Sequence, residues 1–441
     1  MSGPVQSDRR VVFAWSFYDF ANSAFTTMVV TFVYAAFFTK LMAADEIEGT
    51  ALWSRGVTVT ALTVALLSPV LGAIADRGGY RKALLALSTT VCVVATALLY
   101  FPEPHAALAA RGLPDEAVLA LACFVVANVA FEMANVFYNA FLPDIATAER
   151  IGRVSGYGWA LGYVGGLLCM VVAFVGFVFP EAPWFGLTKE ANENIRATNI
   201  LVAIWFAVFS VPLFLWVRED RSRAEPSRRG VVAASLRQLA GTFRQMRPYR
   251  QVVRLLLARL VYNDGLVTIF AFGGVYAAGT FGFSFQEIMV FGIVLNVTAG
   301  VGAFLMGFLD DRIGGRLTIL ISIAGLAIAS AIAFVAPDKT TFWIAGILVG
   351  VFSGPNQAAS RSLLGRFVPA DKENEFFGFF AFSGKATAFL GPFLFGVLTE
   401  AFGTQRAGIV TVVAFFVLGG LLLLRVDERE GKALATAQPP H

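Results

Sequence analysis

The chain has 441 residues, of which 57% are hydrophobic and only 15% charged, with a net charge of +4; an ordinary soluble protein is roughly a quarter charged. A soluble core cannot hide that much apolar surface, so the composition excludes a water-soluble globule and makes the bilayer the natural solvent. Glycine (42) and phenylalanine (43) are both abundant, as expected where helices pack closely and face lipid. Cys92, Cys123 and Cys169 sit inside apolar runs without metal-ligand spacing and read as small buried hydrophobes, with no disulfide framework and no metal site. His105 falls in a loop and His441 at the last position, which excludes an intramembrane histidine relay.

Ten polar residues ending in Arg9-Arg10 precede an apolar run near 11–39. It is too long for a signal-peptide core and lacks a small-residue cleavage site after it, so a spanning helix is expected. Further runs follow near 53–75, 83–101, 117–141, 154–180 and 198–217, then a basic segment over 218–250. Six more lie near 252–281, 285–309, 317–336, 341–360, 376–398 and 405–424. Most exceed the roughly 20 residues needed to cross ~30 Å of hydrocarbon. The expected fold is an all-α membrane protein of twelve transmembrane helices in two six-helix bundles. Its divisions are a tail (1–10), a first bundle (11–217), a basic linker (218–250), a second bundle (251–425) and a final tail (426–441).

Orientation follows from Lys and Arg. With the N-terminus cytoplasmic, 25 of them fall on the cytoplasmic side, among them Arg361 and Arg366, against seven on the opposite side. Arg259 and Lys385 lie within runs. Both termini are therefore expected in the cytoplasm, with the protein in a cell (inner) membrane.

Between the second and third runs stands Gly72-Ala-Ile-Ala-Asp76-Arg77-Gly-Gly79-Tyr-Arg81, and its pattern returns between the eighth and ninth as Gly307-Phe-Leu-Asp-Asp311-Arg312-Ile-Gly314-Gly-Arg316. Each copy follows the second run of its half, so the chain is built twice from one plan. Two parallel six-helix halves match transporters that rock two bundles about a central site.

The repeated turn resembles the loop between helices 2 and 3 of the major facilitator superfamily, duplicated between helices 8 and 9 as in that family. The resemblance implies that Asp76, Arg77 and Arg81, with Asp311, Arg312 and Arg316, latch the cytoplasmic helix ends and couple the bundles. A narrower resemblance rests on Tyr18-Asp19-Phe-Ala-Asn22-Ser23-Ala24-Phe25, Tyr262-Asn263-Asp264-Gly265, Ser360-Arg361-Ser362, Glu375-Phe376-Phe377-Gly378 and Ser383-Gly384-Lys385. These look like the branch containing the fungal vacuolar amino-acid effluxers and their bacterial relatives. It implies secondary transport, with export of neutral amino acids as the activity known for the fungal members. The fifth run carries only part of an antiporter-type glycine signature, Gly158-Trp-Ala-Leu-Gly162-Tyr163-Val-Gly165-Gly166, which close helix packing explains equally well.

A charge at the bilayer centre costs roughly 2.5–3.5 kcal/mol on insertion scales, so the intramembrane residues Asp19, Glu132, Arg259, Asp264 and Lys385 are informative. Asn128, Glu132, Asn135 and Asn139 fall within a stripe about 60° wide at ~100° per residue. Such a stripe faces a watery cavity or hydrogen-bonds a neighbouring helix. Glu132 lies near mid-span and suits reversible proton binding. Asp19 and Asn22 share a face with Trp15, Ser23 and Thr26, and a shallow ion pair competes with a cavity role for Asp19. Asn263 and Asp264 precede Gly265, which either loosens the helix or packs it closely. Arg259 can line the interior or snorkel to the surface. Lys385 requires a carboxylate, with Glu132, Asp19 and a substrate carboxylate as the candidates. Of the aromatic residues on these helices (Trp15, Tyr18, Tyr138, Trp159, Tyr163, Tyr262 and Phe382), each alone reads as packing; together they suit a small zwitterion better than a long lipid.

No phosphate-binding loop, metal spacing or nucleophile elbow is present, so no enzyme, ATP-driven pump or cofactor is expected. The linker arginines read as charge beside anionic lipid, not as a nucleic-acid surface. Two readings stand. One is a monomeric, proton-coupled secondary transporter of a small polar or zwitterionic solute; the other is a transport-inactive scaffold that senses or binds a partner.

Overall fold

The computed structural model of the chain describes residues 8–43, 46–104, 115–219, 249–369 and 371–437, with isolated positions between 235 and 241. His105, His441 and the basic linker, apart from its ends and those isolated positions, lie outside the described residues. Helix α1 spans Arg9–Phe25 and runs on through π-helical Thr26–Phe32 into Tyr34–Leu41. The first half continues with α2 (Glu46–Gly78), α3 (Arg81–Leu98), α4 (Asp115–Asn139), α5 (Ile151–Ala173) and α6 (Thr198–Trp216). The second comprises α7 (Arg250–Phe281), α8 (Phe285–Ile313), α9 (Gly315–Val335), α10 (Lys339–Phe367), α11 in two segments (Glu373–Lys385 and Leu390–Phe402) and α12 (Gln405–Leu423). A last helix, α13 (Glu428–Ala437), forms where the sequence suggests only a polar tail.

Among the described residues eleven helical segments are long and apolar enough to cross a membrane. The twelfth is α10, whose 29 residues suffice in length. Its second half carries Asn356, Gln357, Ser360, Arg361, Ser362 and Arg366, and this polarity hides it from a hydropathy criterion. Twelve helices long enough to span a bilayer are thus present among the described residues, as the sequence predicts. The packing repeats as the sequence does. Helices α1 with α5 and α6, α2 with α4, and α3 with α4 and α6 are matched by α7 with α11 and α12, α8 with α10, and α9 with α10 and α12.

The bundles meet where α2 crosses α11 and α5 crosses α8. Small residues bring these backbones together, as is usual where lipid supplies no hydrophobic drive between helices. A Cβ on Gly72 would stand 2.2 Å from the Asn374 carbonyl oxygen, and one on Gly378 2.4 Å from that of Ser68. At the other crossing, a Cβ on Gly156 would stand 2.5 Å from the Ala303 carbonyl oxygen.

The two repeated turns lie on this closed side, and each reaches the opposite bundle. Gly79 (φ 61°) and Gly314 (φ 93°) take the left-handed conformations that terminate α2 and α8. Asp76 accepts hydrogen bonds from the backbone N–H of Asn374 (3.0 Å) and Glu375 (2.7 Å), so it caps the start of α11. Asp311 accepts from the N–H of Gly152 (2.8 Å) and Arg153 (3.3 Å) and pairs with the Arg153 guanidinium, which caps α5. A carboxylate at a helix N-terminus satisfies orphan donors and complements the helix dipole.

The arginines of the two copies behave differently. Arg81 binds Asp144 (2.5 Å) in its own bundle and Glu373 (3.0 Å) in the other. Arg316 does not reach across: its guanidinium donates to the Leu424 carbonyl and its N–H to Glu428. The corresponding charge comes from Arg366 of α10, paired with Asp310 (2.5 Å). Arg77 is half-buried and Arg312 is exposed.

Helix α13 straps the second turn. Glu430 binds Arg250 and Gln251 of α7, and Gly431 sits against the Phe367 ring. Burial presses the Glu428 carboxyl toward its neutral form, but Lys432 and the Arg316 N–H outweigh it and hold its pKa below the ordinary value. Arg250 lowers that of Glu430. Depressed carboxylate pKa values mean that this docking is fully present above the ordinary carboxylate range and is lost as pH falls through the lowered values. Protection of the 428–437 amides against hydrogen exchange, taken relative to the intrinsic exchange rate at each pH, is therefore expected to fall on acidification, and Glu430→Gln should lower it at neutral pH. At the α2–α11 crossing, Gly72→Val should wedge the helices apart. A cysteine substituted for buried Ala73 would then react with a membrane-impermeant thiol reagent that leaves it untouched in the parent.

Candidate functional site

Beyond the closed side, between the bundles, lies a cavity of about 340 Å³, at the small end of the ~300–1,000 Å³ usual for ligand sites. The first bundle contributes Asp19, Asn22, Ser23 and Thr26 from α1, Glu132, Asn135 and Asn139 from α4, and Trp159 from α5. The second contributes Arg259, Tyr262 and Asn263 from α7, Asn356, Gln357, Ser360 and Arg361 from α10, and Phe377, Phe380 and Lys385 from α11. The α4 stripe therefore faces a cavity over Glu132, Asn135 and Asn139, while Asn128 is buried away from the cavity lining. The amide contact from Asn22 to Asn135 (3.2 Å) shows that the stripe also binds a neighbouring helix.

Two ion pairs cross the bundle interface here. Lys385 meets Glu132 at 2.7 Å, which settles the partner left open by the sequence. Asp19 goes instead to Arg361, at 3.0 Å. Arg361 also donates to Asn139 Oδ1 (3.1 Å), Ser155 Oγ (2.9 Å) and the Ser155 carbonyl (2.7 Å). Its guanidinium packs over the rings of Trp15 (4.8 Å), Tyr138 (5.8 Å) and Trp159 (5.7 Å). Arginine suits such a place because its planar fork makes several directed bonds while its face stacks on aromatic rings. Behind it, Trp15 stacks on Tyr138 and Tyr138 on Tyr18, whose hydroxyl bonds Thr89 (2.6 Å). These aromatics form the wall that holds the charge; Trp159 and Tyr262 line the cavity itself, and Phe382 is 40% exposed.

Arg361 corrects the sequence reading, which places it among the cytoplasmic loop cations; it is 3% exposed and inside the bundle. The signal was present, because Gln357 and Arg361 share a face at i and i+4, the same spacing that singles out α4. Arg259 does not snorkel. It lies over the Phe380 ring at 3.6 Å and donates to the Phe380 carbonyl (2.7 Å) and Ser383 (2.9 Å), with no carboxylate in ion-pair range among the described residues. Asn263 lines the cavity and donates to the Gly384 carbonyl (3.1 Å). Asp264 points elsewhere: it is 1% exposed, absent from the cavity lining, and faces the interruption in α11. Gly265 packs against the Phe416 ring within an unbroken α7. The break lies in α11. Among the described residues no group of His, Cys, Asp and Glu could hold a metal ion.

Twelve helices in two like bundles around a polar, doubly charged interface define a transporter of the major facilitator class. The fold agrees with that of the proton:xylose symporter XylE, with a TM-score of 0.71 over 96% of both chains at 13% identity. The family model for the "Vacuole effluxer Atg22 like" proteins matches residues 43–436, and the chain belongs to this family. It is 28% identical to YxiO of Bacillus subtilis (strain 168), described as an uncharacterized MFS-type transporter, over 96% of each protein. It is 23% identical to autophagy-related protein 22-1 of Aspergillus fumigatus across 65% of this chain, which spans 49% of that longer protein.

Removing one partner of a buried ion pair strands the other charge, at a cost of about 3–5 kcal/mol. Asp19→Asn should therefore lower the thermal unfolding temperature sharply. Asp19→Asn combined with Arg361→Gln should recover part of the loss, and a double-mutant cycle measures the coupling.

Proposed function

We propose that this protein is a proton-coupled secondary transporter that exports a small zwitterionic solute, a neutral amino acid or a related metabolite. It acts as a monomer in a cell membrane with both termini cytoplasmic. Five intramembrane charges line the cavity, and they do not balance. Arg259, Arg361 and Lys385 face two carboxylates, Asp19 and Glu132. Arg259, which no carboxylate meets at ion-pair distance among the described residues, is the observation that carries the reading. A buried guanidinium without a counter-ion is costly, and a solute carboxylate placed over it supplies the missing charge. Glu132 and the carboxamide oxygens of Asn135 and Asn139, which line the same cavity, can accept from its ammonium group. The small cavity volume and the polar walls disfavour a lipid.

Transport follows from where the charges lie. Asp19 and Glu132 belong to the first bundle, Arg361 and Lys385 to the second, so both pairs must part when the closed side opens. The ammonium of a bound zwitterion supplies a substitute partner for Glu132 and lowers the cost of that separation. Export agrees with the effluxer description of the family. The excess of Lys and Arg on the turn side supports cytoplasmic termini even with Arg361 removed from it.

Reconstituted in liposomes, the protein should catalyse counterflow of neutral amino acids. Their methyl esters, which keep the ammonium but lack the carboxylate, should compete poorly. Arg259→Gln should weaken the amino acid by roughly 10- to 100-fold, the worth of a charge-assisted hydrogen bond of about 1.5–3 kcal/mol, and leave the weak ester competition unchanged. Esters that compete as well as the parent amino acids would remove the carboxylate from the reading. Absence of counterflow for amino acids, peptides and nucleosides alike would favour a transport-inactive scaffold.

A further inference from the structure

Asp264 is an intramembrane carboxylate that no cation meets at ion-pair distance among the described residues, and this distinguishes it from Asp19 and Glu132. Its Oδ2 is buried with no hydrogen-bond partner, and its Oδ1 lies 3.3 Å from Thr387 Oγ1. The cations of α7, α10, α11 and α12 that could approach it are engaged elsewhere. On α7, Arg259 serves Phe380 and Ser383. On α11, Lys385 binds Glu132; on α10, Arg361 and Arg366 bind Asp19 and Asp310. On α12, Arg406 donates to the carbonyls of Phe334 and Ala336. A bare carboxylate in such a place is not tenable.

The hydrogen-bond inventory says what relieves it. Thr387 has one hydroxyl proton but two acceptors in reach, the Leu260 carbonyl (3.2 Å) and Asp264 Oδ1 (3.3 Å). If the hydroxyl donates to Leu260, Asp264 must itself be the donor to Thr387. A carboxylic acid there satisfies every proton and leaves Oδ2 as a neutral carbonyl oxygen. The location gives the proton a mechanical partner. Thr387 sits in the interruption of α11 between Lys385 and Leu390. Gly391, at the start of the next segment, closes on the backbone of Asp264, where a Cβ would stand 2.8 Å from its carbonyl oxygen. Lys385, which holds Glu132 in the cavity, ends the preceding segment.

We propose that Asp264 is the proton-binding site of this transporter: it is a neutral acid in the present conformation, and movement of the α11 interruption releases its proton to water. The bound proton comes from the aqueous phase and returns to it, with Asp264 left as a carboxylate once Thr387 and Gly391 withdraw. Solute and proton then meet at the same four-residue interruption, the solute beside Lys385 just before it and the proton beside Thr387 within it. The coupling role rests on the transport reading, whereas the protonation does not.

Infrared spectroscopy of the purified protein at neutral pH tests the protonation directly. Other buried carboxyl groups can contribute to the same region, so the spectra are compared by difference: a carbonyl stretch of a protonated carboxylic acid is expected in the parent minus Asp264→Asn spectrum and not in the parent minus Glu132→Gln spectrum. Thr387→Val, which keeps the acid but removes its partner, should shift that band. A parent minus Asp264→Asn spectrum without the band would overturn the proposal; if Asp264→Asn does not fold, a parent minus Thr387→Val spectrum without a band shift would do so. In liposomes, with leucine as the probe, Asp264→Asn should retain counterflow and lose at least tenfold of the uptake driven by a pH gradient. Unchanged gradient-driven uptake would remove the coupling role. A parent with no leucine counterflow would count against the amino-acid reading and leave the infrared result standing.

Discussion

An ion in hydrocarbon must have a partner, and this constraint organises the interior more than any shape requirement does. The pairing of Asp19 with Arg361 shows how many residues one such ion recruits. Arg361 draws on α1, α4 and α5 for its carboxylate, amide, hydroxyl and carbonyl acceptors, and on three aromatic rings for its face. Four helices are thereby held in one register. Because α10 belongs to one bundle and the acceptors to the other, the same contacts that satisfy the charge also hold the bundles together. Burial of the charge and contact between the bundles draw on one set of bonds.

The closed side uses the complementary device. There the ions sit on helix ends instead of within helices, and the partners are backbone N–H groups that the α-helix leaves unsatisfied. Asp76 and Asp311 each end one bundle's helix and begin the other's. The duplicated motif is thus a pair of reciprocal caps, and its function depends on the two halves being copies. The exception is Arg316, which serves the local strap, while Arg366 supplies the buried charge at that crossing.

Much of this was legible from periodicity and charge. The duplicated turn, the number of spans, the α4 stripe and the need of Lys385 for a carboxylate follow from local spacing and from the cost of burying charge. Arg361 was not, because a linear reading assigns a cation near the end of a run to the nearest loop. Arg259 was ambiguous for the same reason. Depth depends on where the helix begins, and α10 begins at Lys339 and extends to Phe367, seven residues beyond the apolar run. The α11 interruption was also hidden. Pro392 removes a hydrogen bond to the preceding turn and crowds it, yet Pro69, Pro212 and Pro355 lie inside continuous helices. Proline identity alone therefore does not separate a break from a bend. Tertiary contacts at Asp264 and Thr387 decide it.

The strap and the interface differ in their relation to the surrounding electrolyte. Arg250 is more than half exposed where it meets Glu430, whereas the side chains of Arg361 and Asp19 are 4% and 12% exposed. Mobile counter-ions screen exposed charges over ~8 Å at physiological ionic strength but act much less on buried pairs. Changes in cellular salt therefore reach α13 and leave the central pairs almost untouched. The protein thus has an outer electrostatic layer responsive to its medium and an inner one insulated from it.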